Sequence, residues 1–458
     1  MKARLAAARL AACALPLCLM GALAWQGPAL SSRQPKEAET FSVVLTGELN
    51  GHITPCGCSK PMLGGLPRRA SYLRSLGEKS AVVRVENGDL TEALGRQDEL
   101  KAETIIEALT LLRYDAVNLG EKDFRLGVPY LLSLQARFKG ALLSANVCGM
   151  DGSPLFKESA IITREVAGST LRIALVGLLS EQFAETVRSV NPDLQVKSPE
   201  EVFARLEPEL AARSDVRLLL YHGPKEEAED LARRFPGVQL IAYTHAGDHP
   251  AEAQKVGTVA LACGGQDGKY VTRIRFGAEK SERASDLRNV ALTPDFADNA
   301  EIMQIKHSYL ERVAAEDLLG KAPKVATPNG DTYAGTAACV SCHREAGQVW
   351  KASLHARAFQ TLAEEKEEKD PDCVPCHVVG LERVSGFASH EKTPHLENVG
   401  CESCHGPAAK HVRDPQVKLA PAGTASCETC HVPQHSPNFD FATYWPKIKH
   451  GHDGAASK

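Results

Sequence analysis

Two regions of different class are predicted: a layered α/β region from about residue 41 to 276, and a mainly α region from 333 to 452 organised around bound groups rather than a side-chain core. Three observations carry this. Short apolar runs alternate with helix-period segments as far as Phe276. The strand pattern stops after Tyr333. The five-residue frame C-x-x-C-H then occurs four times, at Cys339-Cys342-His343, Cys373-Cys376-His377, Cys401-Cys404-His405 and Cys427-Cys430-His431. A chain of 458 residues also exceeds the size of one ordinary core, so more than one domain is expected.

The chain opens with Lys2, Arg4 and Arg9, then an uncharged and mostly apolar run from Leu10 to Ala24 that ends in Ala22-Leu23-Ala24. Residues 1–24 therefore predict a cleaved secretory signal and a periplasmic or extracellular protein. An uncleaved membrane anchor is the competing reading, against which the run falls short of the ~20 residues that span a bilayer. A net charge of −4, with acids and bases well mixed, gives no indication of nucleic-acid binding.

In the first region FSVVLTG, SAVVRVENGD, YDAVNLG, GALLSANV, LRIALVGLL, VRLLLYHG, VQLIAYTH and GTVALACGG read as strands, because each apolar run ends at Gly, Asp, Asn or His. GGLPRRASYLRSLG, ELKAETIIEALTLLR and KEEAEDLARRF lie between them with helical periodicity. Such alternation predicts a sheet with functional loops at its strand ends. Residues 277–332 are polar, carry the amphipathic stretch IMQIKHSYLERVAAEDLLG and end in KAPKVATPNGD, and are predicted to be a helical linker. The run EEKEEKD at 364–370 is expected on a solvated helix or loop.

Cysteines two apart suit a zinc ribbon, a redox disulfide or covalent haem. A histidine directly after the second cysteine in all four frames decides for haem: the thiols would bond the porphyrin and the adjacent imidazole would bind iron. Four c-type haems, with proximal ligands His343, His377, His405 and His431, would supply the apolar bulk that a chain with 5% aromatic residues lacks. The sixth iron positions must come from the remaining histidines, among them His355, His390, His395, His411, His435, His450 and His452.

CVSCHREAGQVWKASLHARAF, CVPCHVVGLERVSGF, VGCESCHGPAAKHV and CETCHVPQHSPNF, in that order, resemble the tetraheme cytochrome c-554 family. The resemblance implies that His355 and His411 are distal ligands to the first and third haems, in cross-connected fashion, and that His450, or failing it His452, closes the fourth. In that family the second haem is five-coordinate. Here His395 precedes the third frame, and it is expected to close the haem of Cys373 and Cys376.

TGELNGHITPCGC, VENGDL, YDAVNLGEKDFRLG, LLLYHG and IAYTH resemble, in order and context, the metallophosphoesterase domain of secreted 5'-nucleotidases. The resemblance implies an α/β sandwich whose strand ends hold two metal ions able to activate water and clamp a phosphate. Position by position, Glu48 and Asn50 stand for the family's first Asp and His. Asp89 keeps the bridging position, while Glu121 and Lys122 replace an Asn and a His. His222 is kept, Tyr243 replaces a His, and His245 is kept. Glu48, Asp89, Glu121, His222 and His245 could then hold one divalent ion, Mn, Fe or Zn. Loss of the phosphate-facing imidazole predicts a degenerate hydrolase. Cys56 or Cys58 is expected to pair with Cys263 in a disulfide, and a redox or metal site is the sharper alternative; Cys148 is expected to be buried.

Together these features predict an exported multihaem cytochrome that passes electrons between redox partner proteins, with the N-terminal region as a docking or sensing domain. The alternative is a haem-linked metal-dependent hydrolase or oxidoreductase whose N-terminal pocket takes a phosphate or other small oxyanion.

Overall fold

The computed structural model describes residues 40–55, 61–77, 81–247, 249–252, 254–277, 284, 286–327, 330–433 and 435–451, all of which fall within one compact unit. The signal segment, Cys13, Cys18, Cys56, Cys58 and His452 lie outside the described residues.

Two six-stranded sheets form the first region. One runs in the order Asp286–Ala291, Tyr270–Gly277, Thr40–Thr46, Ala81–Glu86, Ala116–Asn118, Ala141–Leu143. The other runs Gln254–Val256, Val259–Cys263, Leu240–Tyr243, Val216–His222, Ser169–Leu179, Ser159–Val166. The central strands of each are parallel, paired for example as Val43 with Val83 and Leu175 with Leu218. Parallel strands are buried on both faces, which is why these runs are almost uninterrupted Val, Leu and Ile.

The sheets stack through Val43, Leu45, Val85, Ile173, Leu175, Leu218 and Leu220, all fully buried. Helices Leu66–Ser75, Arg96–Leu111 and Val128–Arg137 cover the outer face of the first sheet. Helices Pro199–Arg213 and Lys225–Arg234 cover that of the second. Parallel strands place their carboxyl ends at one edge, and in open α/β sheets that edge holds the ligand crevice.

The predicted linker is part of this region. Asp286–Ala291 is the edge strand of the first sheet, and helix Ala300–Ala315, capped by the Asn299 side chain, buries Ile302, Tyr309, Leu310 and Val313 in the core beneath helix Arg96–Leu111. Its polar face gives the stretch a linker-like composition, but its apolar stripe is too wide to leave in water. The seam between regions falls between two consecutive residues: Leu318 packs on the α/β core and Leu319 on the C-terminal cluster.

Beyond that seam the chain forms short helices, including Thr336–Val340, Arg344–Ala352, Ala358–Glu365, Cys401–His405, Ala409–Arg413 and Thr424–Glu428. The buried apolar cluster here is small, built on Phe359, Leu362, Val374, Val378, Phe387 and Leu396. The charged run at 364–370 is not merely solvated. Glu367 pairs with Lys306 at 2.7 Å, and buried Asp370 accepts from Gln97 at 2.6 Å and from the Tyr309 hydroxyl at 3.2 Å. Lys101 also pairs with Asp372, directly before the second frame.

Candidate metal centre and haem-binding frames

Asp89, Glu121, His222 and His245 each offer a ligand atom within 4.8 Å of the others. They come from the carboxyl ends of strands in both sheets, which two asparagines hold in register. Asn118 donates to Asn87 Oδ1 and to the carbonyls of Leu178 and Leu220, while Asn87 donates to those of Tyr221 and Ala242. Asp89 and His245 bend the chain sharply there, with φ of 56° and 57°. Left-handed backbone at non-glycine residues is costly and clusters at functional sites. Gly120 leaves room for the ligands: a Cβ there would lie 2.3 Å from Asp89 Oδ1 and 2.6 Å from His222 Cε1.

His222 Nδ1 lies 2.6 Å from the Asn87 carbonyl, which fixes the proton on that nitrogen and leaves Nε2 free to bind a cation. Nε2 is 2.7 Å from Glu121 Oε2 and 3.2 Å from His245 Nε2. Two imidazole nitrogens so close, beside carboxylate oxygens, suit a shared cation. Glu121 Oε2 and Asp89 Oδ2 are moreover buried without a hydrogen-bond partner. Without metal the site answers with protons. Burial opposes a charge on His222, but Asp89 and Glu121 outweigh it and hold the imidazole well above its ordinary range. Burial likewise opposes ionisation of Glu121, which His222 and His245 reverse, holding it well below the carboxylate range. Burial and the neighbouring Asp89 push Asp123 up to about 7, although it accepts from the backbone of Asp89, Leu90 and Gly120.

Four of the five expected ligands thus converge, and Glu48 stands apart. It accepts from the His245 backbone N–H at 3.1 Å and lies 3.7 Å from His245 Nδ1, on the ring edge away from the cluster. Its place is to orient His245. Burial raises Glu48, offset in part by His222 and His245. The sequence reading missed Lys122 as a member of the site. Its Nζ donates to Asn50 Oδ1 at 2.9 Å and lies 3.7 Å from Asp89 Oδ2, so a fixed ammonium stands beside the carboxylate. The signal was the Lys in Gly120-Glu121-Lys122-Asp123, read only as a lost His. Tyr243 is fully buried, outside the ligand cluster. Cys148 is buried, and Cys263, the expected disulfide partner, is a buried free thiol whose anticipated mates lie outside the described residues.

In the C-terminal region three imidazole pairs face each other: His343 with His411 at 6.2 Å between ring centroids, His405 with His450 at 5.9 Å, and His355 with His431 at 6.2 Å. Two imidazoles on opposite sides of one metal put their centroids about 6 Å apart, given roughly 2 Å per metal–nitrogen bond and about 1.1 Å from nitrogen to ring centre. Each pair contains one frame histidine, so the residues fit a haem iron between them. The Nδ1 atoms are engaged elsewhere, His405 with the Ala420 carbonyl, His411 with that of Val417 and His431 with Ser436 Oγ, which leaves Nε2 for iron. Cys339 neighbours Cys401, Cys376 neighbours Cys430, and Ser426 Oγ, next to Cys427, donates to the Cys404 carbonyl at 3.3 Å, so the third frame meets both the first and the fourth, and the second meets the fourth.

The pairing departs from the expected one in part. His411 faces the first frame, which a cross-connected arrangement allows, whereas His355 faces the fourth frame rather than the first or third, and His450 the third rather than the fourth. Loops far apart in sequence cross here, so order along the chain gave no guide. His377 turns Nδ1 to the Ala358 carbonyl at 2.6 Å, and among the described residues no second imidazole faces its ring. His395, expected to fill that place, sits in the turn Pro394–Leu396 against Gly335, where a Cβ would lie 3.0 Å from its Cδ2. His390 is held by Glu397 at 2.5 Å.

Residues 338–406 match the family described as cytochrome c554 and c-prime. Cytochrome c-554 of Nitrosomonas europaea is 39% identical over 90 residues, 16% of this chain and 38% of that protein. A 2',3'-cyclic-nucleotide 2'-phosphodiesterase/3'-nucleotidase of Salmonella typhimurium is 27% identical over 214 residues, 40% of this chain and 32% of that protein. The chain thus spans less than half the length of these curated relatives. A solved 5'-nucleotidase precursor from Thermus thermophilus superposes with a TM-score of 0.53 at 20% identity, covering 71% of this chain and 68% of that one. The chain therefore joins an α/β region with the 5'-nucleotidase fold to a C-terminal region similar to the cytochrome c-554 family.

Proposed function

We propose that this protein is an exported electron carrier that holds four c-type haems on Cys339/Cys342, Cys373/Cys376, Cys401/Cys404 and Cys427/Cys430. Three are closed by the pairs His343–His411, His405–His450 and His431–His355, and the second has His377 alone. The carrying observation is the recurrence of one imidazole spacing at three frames. When bound, such haems supply one-electron chemistry, and this chain's residues set their spacing, ligation and solvent exposure. Export follows from the N-terminal segment, and no helix among the described residues is long and apolar enough to cross a membrane. The partners are redox proteins that dock on the C-terminal face.

The N-terminal region, in this reading, binds one divalent ion at Asp89, Glu121, His222 and His245, and acts in docking or sensing. Lys122 supports a single ion, because its ammonium offsets the charge of Asp89 and occupies the Asn50 Oδ1 acceptor where a second cation would otherwise sit. The second reading, a haem-linked hydrolase or oxidoreductase acting on a phosphate ester or small oxyanion, is favoured by the same buried cluster. Haem and metal content of the purified protein, its carbon monoxide difference spectrum and a phosphate-ester assay separate the two. Four haems, one metal, one carbon monoxide per chain and no hydrolysis are expected. Hydrolysis that disappears in Asp89→Asn overturns the carrier-only reading, and a colourless protein overturns both.

A further inference from the structure

A continuous chain of contacts leaves the metal cluster and ends at the proximal ligand of the fourth frame. Asp89 Oδ2 faces Lys122 Nζ at 3.7 Å, and Lys122 donates to Asn50 Oδ1 at 2.9 Å. Asn50 Nδ2 donates in turn to Asp267 Oδ1 at 3.2 Å, and that oxygen lies 3.6 Å from His52 Nδ1. The His52 ring meets the His435 ring at 6.4 Å between centroids, across the seam between the two regions. Ser436, the next residue, is buried and meets His431 Nδ1 at 3.0 Å. Glu48 and Asn50 sit in left-handed backbone, with φ of 49° and 48°, and Asp267 N–H is bonded to the Glu48 carbonyl at 2.8 Å. The loop is pinned, not loose.

We propose that this relay couples the N-terminal metal centre to the fourth haem, so that binding a dication and reducing that haem favour each other. The inference rests on the metal centre and haem ligation proposed above. Its sign follows from charge: a dication opposes the extra positive charge of ferric iron and therefore favours the ferrous state. Its route follows from burial. Asp267 is 8% exposed and His52 18%, so charge along this path is poorly screened by salt. A metal that engages Asp89 also alters the partner of Lys122, and with it the polarisation of Asn50, Asp267 and His52. Hydrogen bonding to the Nδ1 of a proximal histidine is one of the levers that set a haem's potential. The His52 and His435 side chains act through their neighbours and are positioning residues, outside the ligand set.

Linkage makes the test reciprocal. Mn²⁺ affinity is measured by calorimetry on the fully haem-loaded chain, oxidised with ferricyanide and reduced with dithionite. The four midpoint potentials are followed optically with Mn²⁺ and with chelator. Reduced protein is expected to bind Mn²⁺ about fivefold more tightly. One potential should rise by the matching amount, about 40 mV on the scale where tenfold is 59 mV for one electron. His52→Ala and His435→Ala should keep Mn²⁺ affinity in the oxidised state and lose the difference between states. His355→Ala, which alters the fourth haem's ligation, should displace the same potential that Mn²⁺ moves. Equal affinity in both states overturns the proposal, as does a difference that survives in both His52→Ala and His435→Ala, or a shift at a potential His355→Ala leaves alone. Failure of Mn²⁺ to bind in either state is a separate result, which removes the metal centre itself and the coupling with it.

Discussion

Arg69 and Glu86 form an ion pair with both side chains fully buried, Nη1 to Oε2 at 2.9 Å. Thr46 Oγ1 donates to the same oxygen at 2.7 Å, and the guanidinium also reaches Thr46 and Tyr114 at 3.3 Å each. Glu86 directly precedes Asn87, the residue that orients His222, so the pair supports the floor of the metal site. Replacing Arg69 with Met strands a buried carboxylate, a change that costs about 3–5 kcal/mol. Glu86→Leu strands the guanidinium at a similar cost. The double variant Arg69→Met/Glu86→Leu removes both charges and should return to within about 2 kcal/mol of the parent. Burial already raises Glu86 against the pull of Arg69, and removing Arg69 lets it rise further. With its folded value raised, the Arg69→Met variant keeps the Glu86 contribution below the unfolded value of about 4.3 and loses it as pH rises through the folded one. Urea unfolding of the haem-loaded chain, followed by far-UV circular dichroism at several pH values, gives the free energies. A single variant that loses less than about 1 kcal/mol, or a double variant less stable than either single one, would refute the reasoning.

Other outcomes follow from the two sites. His355→Ala should add one carbon monoxide equivalent per chain by opening the fourth haem, whereas His395→Ala should leave the low-spin spectrum unchanged; a low-spin signal lost in His395→Ala would restore the second-haem ligation expected from sequence. Gly120→Ala forces a Cβ against Asp89 and His222 and should weaken Mn²⁺ binding at least tenfold, the size of effect seen when the supports of metal ligands are disturbed. Metal must displace the proton that the carboxylates hold on His222, so Mn²⁺ affinity should climb with pH, by up to tenfold per unit for one proton released. In the metal-free protein that raised imidazole contributes stability below its unfolded value of about 6.5, lost as pH rises through the folded value. Thermal melts with chelator and with Mn²⁺ should therefore diverge on the alkaline side, and parallel melts would contradict this.

How much of this was readable in advance varied with the range over which each feature is encoded. The haem frames are local, five residues each, and a thiol pair followed by imidazole states its chemistry without tertiary information. The apolar runs showed only that loops at strand ends would carry the site; Asp89, Glu121, His222 and His245 were legible as its members because those loops resemble the motifs of the metallophosphoesterase domain. Glu48 was misplaced as a ligand because its left-handed backbone turns the carboxylate behind His245, and sequence carries no sign of that φ. The distal places of His355 and His450 were missed for a related reason. His355 and His431 lie 76 positions apart, and only the path of intervening loops decides that they meet. Lys122 and His52 gain their roles from neighbours contributed by other loops, Asn50 and Asp267 among them, whose proximity no periodicity reports.

Leu318 and Leu319 anchor in opposite directions, one into each hydrophobic cluster, with no spacer between them. Such a junction cannot serve as a swivel. Anyone dividing this polypeptide for expression would need to cut after Leu318 rather than at Phe276, because an earlier cut removes an edge strand and a capping helix from the sandwich. Even then the excised halves would bare the carboxylates and lysines that now satisfy each other across the divide, so the molecule is better treated as a single mechanical body than as a cytochrome carried on a leash.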